Sequence, residues 1–222
     1  MQSAGRGRRG RSWESPAGTN IYYTLMLKPD FSSDCAPMLT LVMALAVAKG
    51  IRQTLRRDSE EAAAKVGIKW PNDIVVDGKK VCGILTEMSM EQGYIQHIVI
   101  GVGINVRKQE FPEEIRDRAA AIDEQCGFRI SRSQLIADIM EAFEEDYEIF
   151  LRTHDLKGLR ASYAELLVNQ DREVCVLDPK GEYRGIARGI NDQGELLVER
   201  QDGTVEEVYA GEVSVRGIYG YV

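Results

Sequence analysis

Residues 73–106 read DIVVDGKKVCGILTEMSMEQGYIQHIVIGVGINV, and the architecture of the chain can be worked out from this segment. Two turn signals, Asp77-Gly78 and Glu91-Gln92-Gly93, divide it into three runs that are rich in β-branched residues. Asp-Gly between two such runs is a strong hairpin signal, because both residues tolerate the left-handed backbone of a tight hairpin turn. The segment therefore predicts three antiparallel strands in meander order.

The third run of this segment places glycines on one face of its strand. Side chains alternate between the two faces of a strand, so Gly101 and Gly103 share a face with Val99, and the apolar residues between them point the other way. Gly83 adds a glycine to the second run, where it allows a neighbour or a ligand to approach closely. The glycine face is therefore a predicted ligand surface. A dinucleotide-binding fold is not indicated, because no helix pattern and no third glycine follow the Gly-x-Gly pair.

Two further strands are expected before this meander. Residues 20–27 (NIYYTLML) carry the β-branched and aromatic residues typical of a buried strand. Residues 66–70 (VGIKW) begin another strand, which Pro71 must end because proline cannot donate to a sheet ladder. Lys69 is thereby placed at the end of a strand.

A buried helix is predicted between these two strands. Residues 38–51 are apolar on almost every side, which suits a helix covered all round and makes core packing its expected role. Asp34 is the expected N-cap, with Pro37 in the first turn, where its missing N–H does no harm. Residues 62–64 (AAA) read as a helix end or a linker.

The second half of the chain changes its pattern near residue 170. Ser131-Arg132-Ser133-Gln134 resembles a capping box and opens a long amphipathic helix, which His154-Asp155 ends before a shorter helix to about Leu167. The acidic residues of the long helix are expected to form a solvated face. Five short strands then follow, and they predict a small barrel after a boundary at 168–171.

Composition places the chain among ordinary globular proteins. It has 222 residues, 44% of them hydrophobic, a net charge of −7 and a pI near 5.1. An acidic chain is unlike a general nucleic-acid binder. The longest apolar run, Met38–Ala48, is shorter than the roughly 20 residues of a membrane span. Four scattered cysteines and two histidines offer no metal-ligand spacing. We therefore expect a cytoplasmic protein with reduced, packing thiols, no membrane and no resident metal.

Positive charge is concentrated in one segment near the start of the sequence. Residues 2–13 read QSAGRGRRGRSW and interleave four arginines with three glycines. Glycine lets the backbone approach a ligand, and each guanidinium matches phosphate oxygens two at a time, so the segment is typical of a loop that binds a polyanion. Taken alone, the same string would equally suit a solvated basic tail or a nucleic-acid patch.

Four motifs in order carry a family resemblance. They are AGRGRRGRSWESPAGTNIYYTL, KWPNDI, KKVCGILTE and IGVGINV, and together they resemble a biotin protein ligase over nearly the whole chain. The resemblance implies an α+β fold, a mixed sheet packed with helices like the class II aminoacyl-tRNA synthetase core, followed by an SH3-like barrel. The catalytic domain would comprise residues 1–169 and the C-terminal domain residues 170–222.

The resemblance also implies a reaction. ATP and biotin would form biotinyl-5'-AMP, with Mg²⁺ as the usual companion of ATP, and biotin would pass to a lysine of a biotin carboxyl carrier protein domain. Two anions repel each other, so such a site needs fixed cations. The matching positions give Lys69 and Arg8 catalytic roles. The expected biotin contacts are Gln2, Arg6, Gly7, Arg8, Lys69, Gly83, Leu85 and Gly101. The expected ATP or adenylate contacts are Arg6, Arg8, Arg9, Arg11, Trp13 and Asn105. Lys80 is left as a lysine that could simply be on the surface.

The resemblance has a departure at the start of the sequence. Members of the family carry an earlier helix, strand and Ser-Thr-Asn segment that holds the ureido ring of biotin, and the sequence begins at the arginine loop instead. We expect a longer natural chain, with weak biotin binding or association through an open sheet edge by the 222 residues alone. A homodimer is left open, and no operator DNA binding is expected.

Two other functions are weighed against the ligase. A lipoate-protein ligase shares the fold and the adenylation chemistry, but GRGRRGR followed by KWPND does not fit it. A non-enzymatic nucleic-acid-binding module would explain the arginines but neither the KWPND motif nor the negative charge. Biotin ligase therefore remains the predicted function.

Overall fold

The computed structural model describes residues 2, 4–10, 12–178, 181–210 and 214–217, without the side chains of Arg9, Ser214 and Arg216. Its larger sheet has five strands in the order β1-β5-β4-β3-β2, and every neighbouring pair is antiparallel. The strands are β1 (Ile21–Leu27), β2 (Val66–Lys69), β3 (Asp73–Val76), β4 (Lys79–Glu91) and β5 (Tyr94–Ile104). The predicted meander of β3, β4 and β5 is confirmed. Parallel pairing, expected in a mixed sheet, appears within the described ranges as two isolated bridges, Ile68–Leu167 and Lys80–Ala119.

The two hairpin turns follow from their residues. Asp77 and Gly78 have φ values of 50° and 73°, and Gln92 and Gly93 have φ values of 50° and 86°. Two successive left-handed residues give the backbone a twist that matches the right-handed twist of the flanking strands. The turns therefore fix the register in which β3, β4 and β5 pair.

Helix α1 (Met38–Arg56) is the centre of the core. Between Leu41 and Ala48 every side chain is at most 2% exposed, as the all-round apolar pattern predicts. The helix contacts the sheet, where the Thr40 hydroxyl donates to the Thr86 hydroxyl at 2.9 Å. The predicted cap was wrong, because Asp34 lies in a separate 3-10 turn (Ser33–Cys35) and Pro37 is the N-cap residue.

By length and composition alone, Ser33–Arg56 could also cross a membrane. Of its most apolar window, 72% is buried inside the protein. Its apolar character is therefore accounted for by core packing between the sheet and another helix.

That other helix is α4 (Arg132–Thr153), which packs against α1. The two helices come very close at Gly50, where an added Cβ would lie 2.5 Å from Ile139 Cγ1. Ser131 caps α4 as predicted, since its Oγ accepts from the Gln134 amide at 3.3 Å. The Gln134 side chain does not complete the capping box and donates to Asp138 instead.

Three short helices complete the described part of the chain that precedes the second sheet. They are α2 (Glu60–Ala64), α3 (Ile122–Cys126) and α5 (Arg160–Leu166). The stretch 62–64 therefore belongs to a helix of its own, which begins where the Ser59 Oγ accepts from the Ala62 amide at 3.1 Å. Ser59 as the N-cap, together with Glu60 and Glu61 in the first turn, is the sequence signal that indicates this helix.

The C-terminal strands form a second antiparallel sheet in the order β10-β6-β7-β8-β9. They are β6 (Glu173–Leu177), β7 (Tyr183–Ile190), β8 (Leu196–Glu199), β9 (Val205–Val208) and β10 (Ser214–Gly217). All five predicted strands are present, although the expected start of the last one, Val213, lies outside the described residues. An α+β core followed by a small all-β unit is therefore confirmed.

A buried carboxylate links α1 to α4. Asp138 is 2% exposed and accepts from Thr54 Oγ1 at 2.6 Å, from Gln134 Nε2 at 3.0 Å and from both terminal nitrogens of Arg57. Burial raises the pKa of this carboxyl, but the hydrogen bonds from Arg57, Thr54 and Gln134 outweigh burial and lower the pKa from 3.8 to about 2. The ionised carboxylate is therefore the form that joins the two helices.

Replacing Asp138 with Asn should lower the free energy of unfolding by about 2–3 kcal/mol at pH 7, because Arg57 loses a buried anionic partner. A depressed pKa in the folded protein gives stability that is present above the unfolded pKa. This stability is lost as the pH falls from about 4 to about 2. Urea unfolding at several pH values should therefore show a smaller decline for D138N than for the parent over this interval. Parallel declines would contradict this role of Asp138.

Candidate active site

A cavity of about 290 Å³ lies on the face of the larger sheet that is opposite α1. Its floor comes from β1, β4 and β5, and one wall comes from the arginine loop. The lining residues are Gln2, Ala4, Arg6, Gly7, Arg8, Trp13, Tyr22, Tyr23, Thr24, Asn72, Lys80, Gly83, Ile84, Leu85, Glu87, Val99, Gly101, Val102 and Gly103. The predicted glycine face is therefore where the cavity forms.

Strand register explains why these residues meet. Directly paired residues of antiparallel strands share a face. Lys69 pairs with Asp73, Asp73 with Gly83, Gly83 with Gly103, and Gly103 with Tyr22. One row across all five strands thus carries a lysine and a carboxylate at one end and a glycine floor in the middle.

The indole of Trp13 covers part of that glycine floor. A Cβ added to Gly103 would lie 2.6 Å from Trp13 Nε1, and one added to Gly83 would lie 2.8 Å from Trp13 Cζ3. These two glycines therefore make room for the tryptophan, where the sequence led us to expect the ligand itself. At Gly101 an added Cβ would meet only the Leu85 carbonyl oxygen, at 3.7 Å, so this glycine faces the open cavity.

Lys80 belongs to the site and is not a mere surface lysine. Its Nζ lies 2.5 Å from Asp73 Oδ1 and 5.5 Å from the centroid of the Trp13 ring. Its backbone is also fixed, because the Lys80 N–H donates to the Arg118 carbonyl at 2.7 Å. The ammonium is thus held at one edge of the cavity by a carboxylate and an aromatic face.

A β-bulge explains why alternation along β4 did not find Lys80. Ile74 pairs with Cys82 and Val75 pairs with Lys80, so Val81 is the extra residue on the β4 side. Simple alternation back from Gly83 would have put Lys80 on the face toward α1. The bulge turns it to the cavity face, as bulges beside functional sites commonly do.

The arginine loop folds back on itself beside the sheet. Arg6 and Ser12 form an antiparallel bridge, and the Trp13 N–H donates to the Gly5 carbonyl at 2.9 Å. The Arg6 guanidinium lies 3.0 Å from Glu87 Oε2, and both side chains are exposed (72% and 43%). An exposed pair of this kind contributes little to stability, so Arg6 can be drawn to another anion at low cost.

Arg8 reaches away from the loop to two other parts of the fold. Its Nη1 donates to Asn72 Oδ1 at 2.8 Å, and its Nη2 donates to the carbonyl of Ala210, in the turn that follows β9 of the C-terminal sheet. Asn72 follows β2 in the turn before β3. Arg8 therefore lies where the loop, the larger sheet and the C-terminal sheet meet.

Most of the predicted site residues line this cavity. They are Gln2, Arg6, Gly7, Arg8, Trp13, Gly83, Leu85 and Gly101. Lys69 and Asn105 are outside the lining and are each 5% exposed. Lys69 shares the site face next to Asp73, whereas Asn105 Oδ1 accepts from the side-chain amides of Asn20 and Gln109, each at 3.4 Å. Arg11 and the side chain of Arg9 lie outside the described residues.

Sequence reasoning missed four polar groups of the site, namely Asn72, Asp73, Lys80 and Glu87. Asn72 and Asp73 stand inside the KWPNDI motif, and this position after Lys69 was an available signal. Glu87 lies two residues after Leu85 on the same strand, so alternation could have placed it on the cavity face. Nothing in the sequence pattern indicates the bulge that turns Lys80.

The chemistry available in the cavity is mainly cationic. Arg6, Arg8 and Lys80 carry positive charge beside an apolar floor, which suits anionic groups attached to an apolar body. Burial raises the pKa of the Cys82 thiol, which points to the core side of β4, so it remains a protonated packing group. Across the described ranges, no group of three or more His, Cys, Asp or Glu is arranged to hold a metal ion.

Two parts of the chain match known protein families. Residues 1–105 match the Biotin/lipoate A/B protein ligase family, and residues 171–216 match the Biotin protein ligase C terminal domain. The chain thus combines a ligase core with the C-terminal unit of the biotin branch.

The chain is also similar to individual ligases along almost its whole length. The chain is 37% identical over 218 residues to the bifunctional ligase/repressor BirA of Bacillus spizizenii, covering 96% of this chain but 64% of that protein's length. It is 30% identical to the biotin–[acetyl-CoA-carboxylase] ligase of Paracoccus denitrificans, covering 95% of this chain and 88% of the relative. The biotin protein ligase of Aquifex aeolicus in complex with biotin and ATP superposes with a TM-score of 0.81 at 29% identity, covering 97% of this chain and 86% of that one. The chain belongs to the biotin protein ligase family.

The packing of Trp13 against Gly103 can be tested by a substitution that adds one methyl group. Gly103→Ala should displace the indole from the sheet, because its Cβ would lie 2.6 Å from Trp13 Nε1 and Cε2. Tryptophan emission should move to longer wavelength as the ring becomes more exposed. Gly101→Ala is the matched control, since its Cβ has room and should leave the emission unchanged. Equal spectra for G103A and the parent would show that Trp13 does not depend on this glycine.

Proposed function

We propose that the chain is a biotin–[biotin carboxyl-carrier protein] ligase, which makes biotinyl-5'-AMP from biotin and ATP and then transfers biotin to a lysine of a carrier domain of acetyl-CoA carboxylase or a related carboxylase. The observation that carries the proposal is the cavity in which Arg6, Arg8 and Lys80 stand beside the floor of Leu85 and Gly101. Biotin has an apolar chain and one carboxylate, so this combination suits it. Membership of the biotin protein ligase family supports the same choice.

The proposed reaction has two balanced steps. A carboxylate oxygen of biotin attacks the α-phosphorus of ATP, and the bond to pyrophosphate breaks. The amine of the carrier lysine then attacks the acyl carbon, AMP leaves, and the amine nitrogen loses a proton. The first step brings two anions together, so cations fixed before the reaction supply most of its stabilisation.

Each cation of the site has a role in this scheme. Lys80 would contact the biotin carboxylate and the α-phosphate, and the position of its ammonium at the cavity edge beside Asp73 supports this role. Lys69 keeps the catalytic role predicted from its motif and would act from the same row of the sheet. Arg6 and Arg8 would bind the adenylate, with Gln2 and Gly7 beside biotin. Arg9, Arg11 and Asn105 remain predicted nucleotide contacts, and Trp13 a predicted wall for adenine.

Mg²⁺ is proposed to enter with ATP as part of the substrate. A metal bound to the triphosphate neutralises the leaving pyrophosphate and needs few protein ligands. Asp73, whose Oδ1 lies 2.5 Å from Lys80 Nζ, is the carboxylate that would face such a metal.

The remaining parts of the proposal concern organisation and setting. Residues 1–169 would form the catalytic domain and residues 170–222 the C-terminal domain, which agrees with the family match over 171–216. The proposed partner is the carrier domain, and the proposed setting is the cytoplasm. A homodimer would be compatible with this activity but is not required by it.

Mass spectrometry of a carrier domain tests the function. The carrier should gain one biotinyl group on a lysine when incubated with the protein, MgATP and biotin, and a Lys→Arg carrier should gain nothing. Lipoate in place of biotin distinguishes the lipoate ligase alternative, which predicts modification of a lipoyl domain. Steeply salt-dependent RNA binding without any carrier modification would favour the nucleic-acid-binding alternative.

Lys80→Ala should reduce biotin-dependent pyrophosphate release by roughly 10²-fold or more, in the range found when one preorganised donor is removed. Lys79→Ala is the matched control, because Lys79 is exposed at the start of the same strand and does not line the cavity. Lys69→Ala should also slow this step if Lys69 acts at the reacting centre. Pyrophosphate release by K80A as fast as by K79A would refute the role of Lys80.

A further inference from the structure

The turn between β2 and β3 is attached to the C-terminal sheet through Trp70. This side chain is 2% exposed, and its Nε1 donates to the Gly194 carbonyl at 3.0 Å. Gly194 lies in the turn between β7 and β8. The Trp70 backbone N–H donates to Asn169 Oδ1 at 3.2 Å, and Asn169 is 1% exposed. The indole N–H of Trp70 is thus bound by the C-terminal part of the chain, and its backbone N–H by Asn169 at the boundary between the two parts.

The acceptor side of this attachment is firmly held. Gly194 has a φ of 79°, and a Cβ added there would lie 2.9 Å from Leu156 Cδ1 and 3.0 Å from Leu41 Cδ2. The Leu156 N–H also donates to the Asp192 carbonyl at 2.8 Å. The β7–β8 turn therefore packs against α1 and the α4–α5 connection, and it presents a fixed carbonyl to the Trp70 indole.

The other end of the same turn leads directly to the active site. Asn72 Nδ2 donates to the Ile84 carbonyl at 3.1 Å, and the Ile84 N–H donates to the Asn72 carbonyl at 3.0 Å. Asn72 Oδ1 also accepts a hydrogen bond from the Arg8 guanidinium at 2.8 Å, and Asp73 forms a salt bridge with Lys80. A shift of the turn would therefore move the partners of two site cations together.

We propose that Trp70 is a positioning residue, through which the C-terminal sheet fixes the β2–β3 turn and so the placement of Arg8 and Lys80 for the first chemical step. The inference rests on the proposed ligase function and deepens it. A C-terminal sheet that served only to dock the carrier or the nucleotide would affect binding of those substrates. Attachment through Trp70 affects the rate of adenylate formation itself, because misplaced cations lose part of their stabilisation of the reacting centre.

The first test uses Trp70→Phe, which keeps an aromatic ring in the buried site and removes the indole N–H. Arg160→Gln is the matched control, because it removes the exposed Arg160–Asp192 pair (2.9 Å) at the same β7–β8 turn without touching the catalytic turn. We expect W70F to lower the kcat of biotin-dependent pyrophosphate release roughly tenfold, with the KM for the carrier unchanged. R160Q should retain the parent kcat. A parent-like kcat for W70F, or an effect confined to the carrier KM, would overturn the inference.

The second test does not depend on activity. Hydrogen exchange of the peptide covering residues 66–76 should become faster in W70F than in the parent, while that of the β4–β5 hairpin is unchanged. Asn169→Ala, which removes the other contact, gives a second variant should W70F fail to fold, and it should produce the same local effect. Parent-like exchange at 66–76 in a folded variant would overturn the inference. If the parent itself releases no pyrophosphate with biotin, the proposed function fails, and hydrogen exchange still decides the role of Trp70.

Discussion

The rest of the structure depends on the need to cover α1 on every side. Almost none of its central surface reaches solvent, and a helix without a polar stripe is stable in water only if other elements bury it. The sheet covers one side and α4 covers another, with Gly50 letting the two helices approach closely. One face of the sheet is thereby committed to the core. Polar and charged side chains of the strands must then gather on the opposite face, where the cavity lies.

On that opposite face, the cations of the site are paired with other groups of the protein itself. Arg6 pairs with Glu87, Lys80 with Asp73, and Arg8 with Asn72. These partners keep the three cations close together without strong repulsion between them. The cluster is therefore a local positive region in a protein whose net charge is −7. The pairs differ in burial, since Arg6 and Glu87 are exposed whereas Lys80 and Asp73 are 25% and 14% exposed. Arg6 is therefore easily redirected, while Lys80 is held close to one position.

The elements that were predicted correctly from the sequence are those with strongly periodic hydrophobic patterns. The meander, the all-round apolar α1, the long α4 and the five C-terminal strands each follow from local residue patterns with few competing structures. The cap of α1 was misassigned because Asp34 forms a separate 3-10 turn, which local rules do not distinguish from a cap. Lys80 was missed because a bulge breaks the alternation on which face assignment depends. The position of the Trp13 ring depends on Gly83 and Gly103, which are 70 or more residues away in the sequence. No local sequence pattern indicates a contact over that separation.

The floor and the wall of the cavity differ in how firmly they are held. Of the floor strands, β4 and β5 are paired on both sides, and the β3–β4–β5 register is fixed by two tight turns, so the positions of Leu85 and Gly101 are set by the sheet. Among the described residues, the wall formed by the arginine loop is held by an isolated bridge, a backbone hydrogen bond and side-chain contacts. Ligand-dependent rearrangement is drawn from the less stable parts of a fold. Entry of a substrate would therefore displace the loop and the Arg6 pair first, while the sheet keeps its geometry and Lys80 keeps its place.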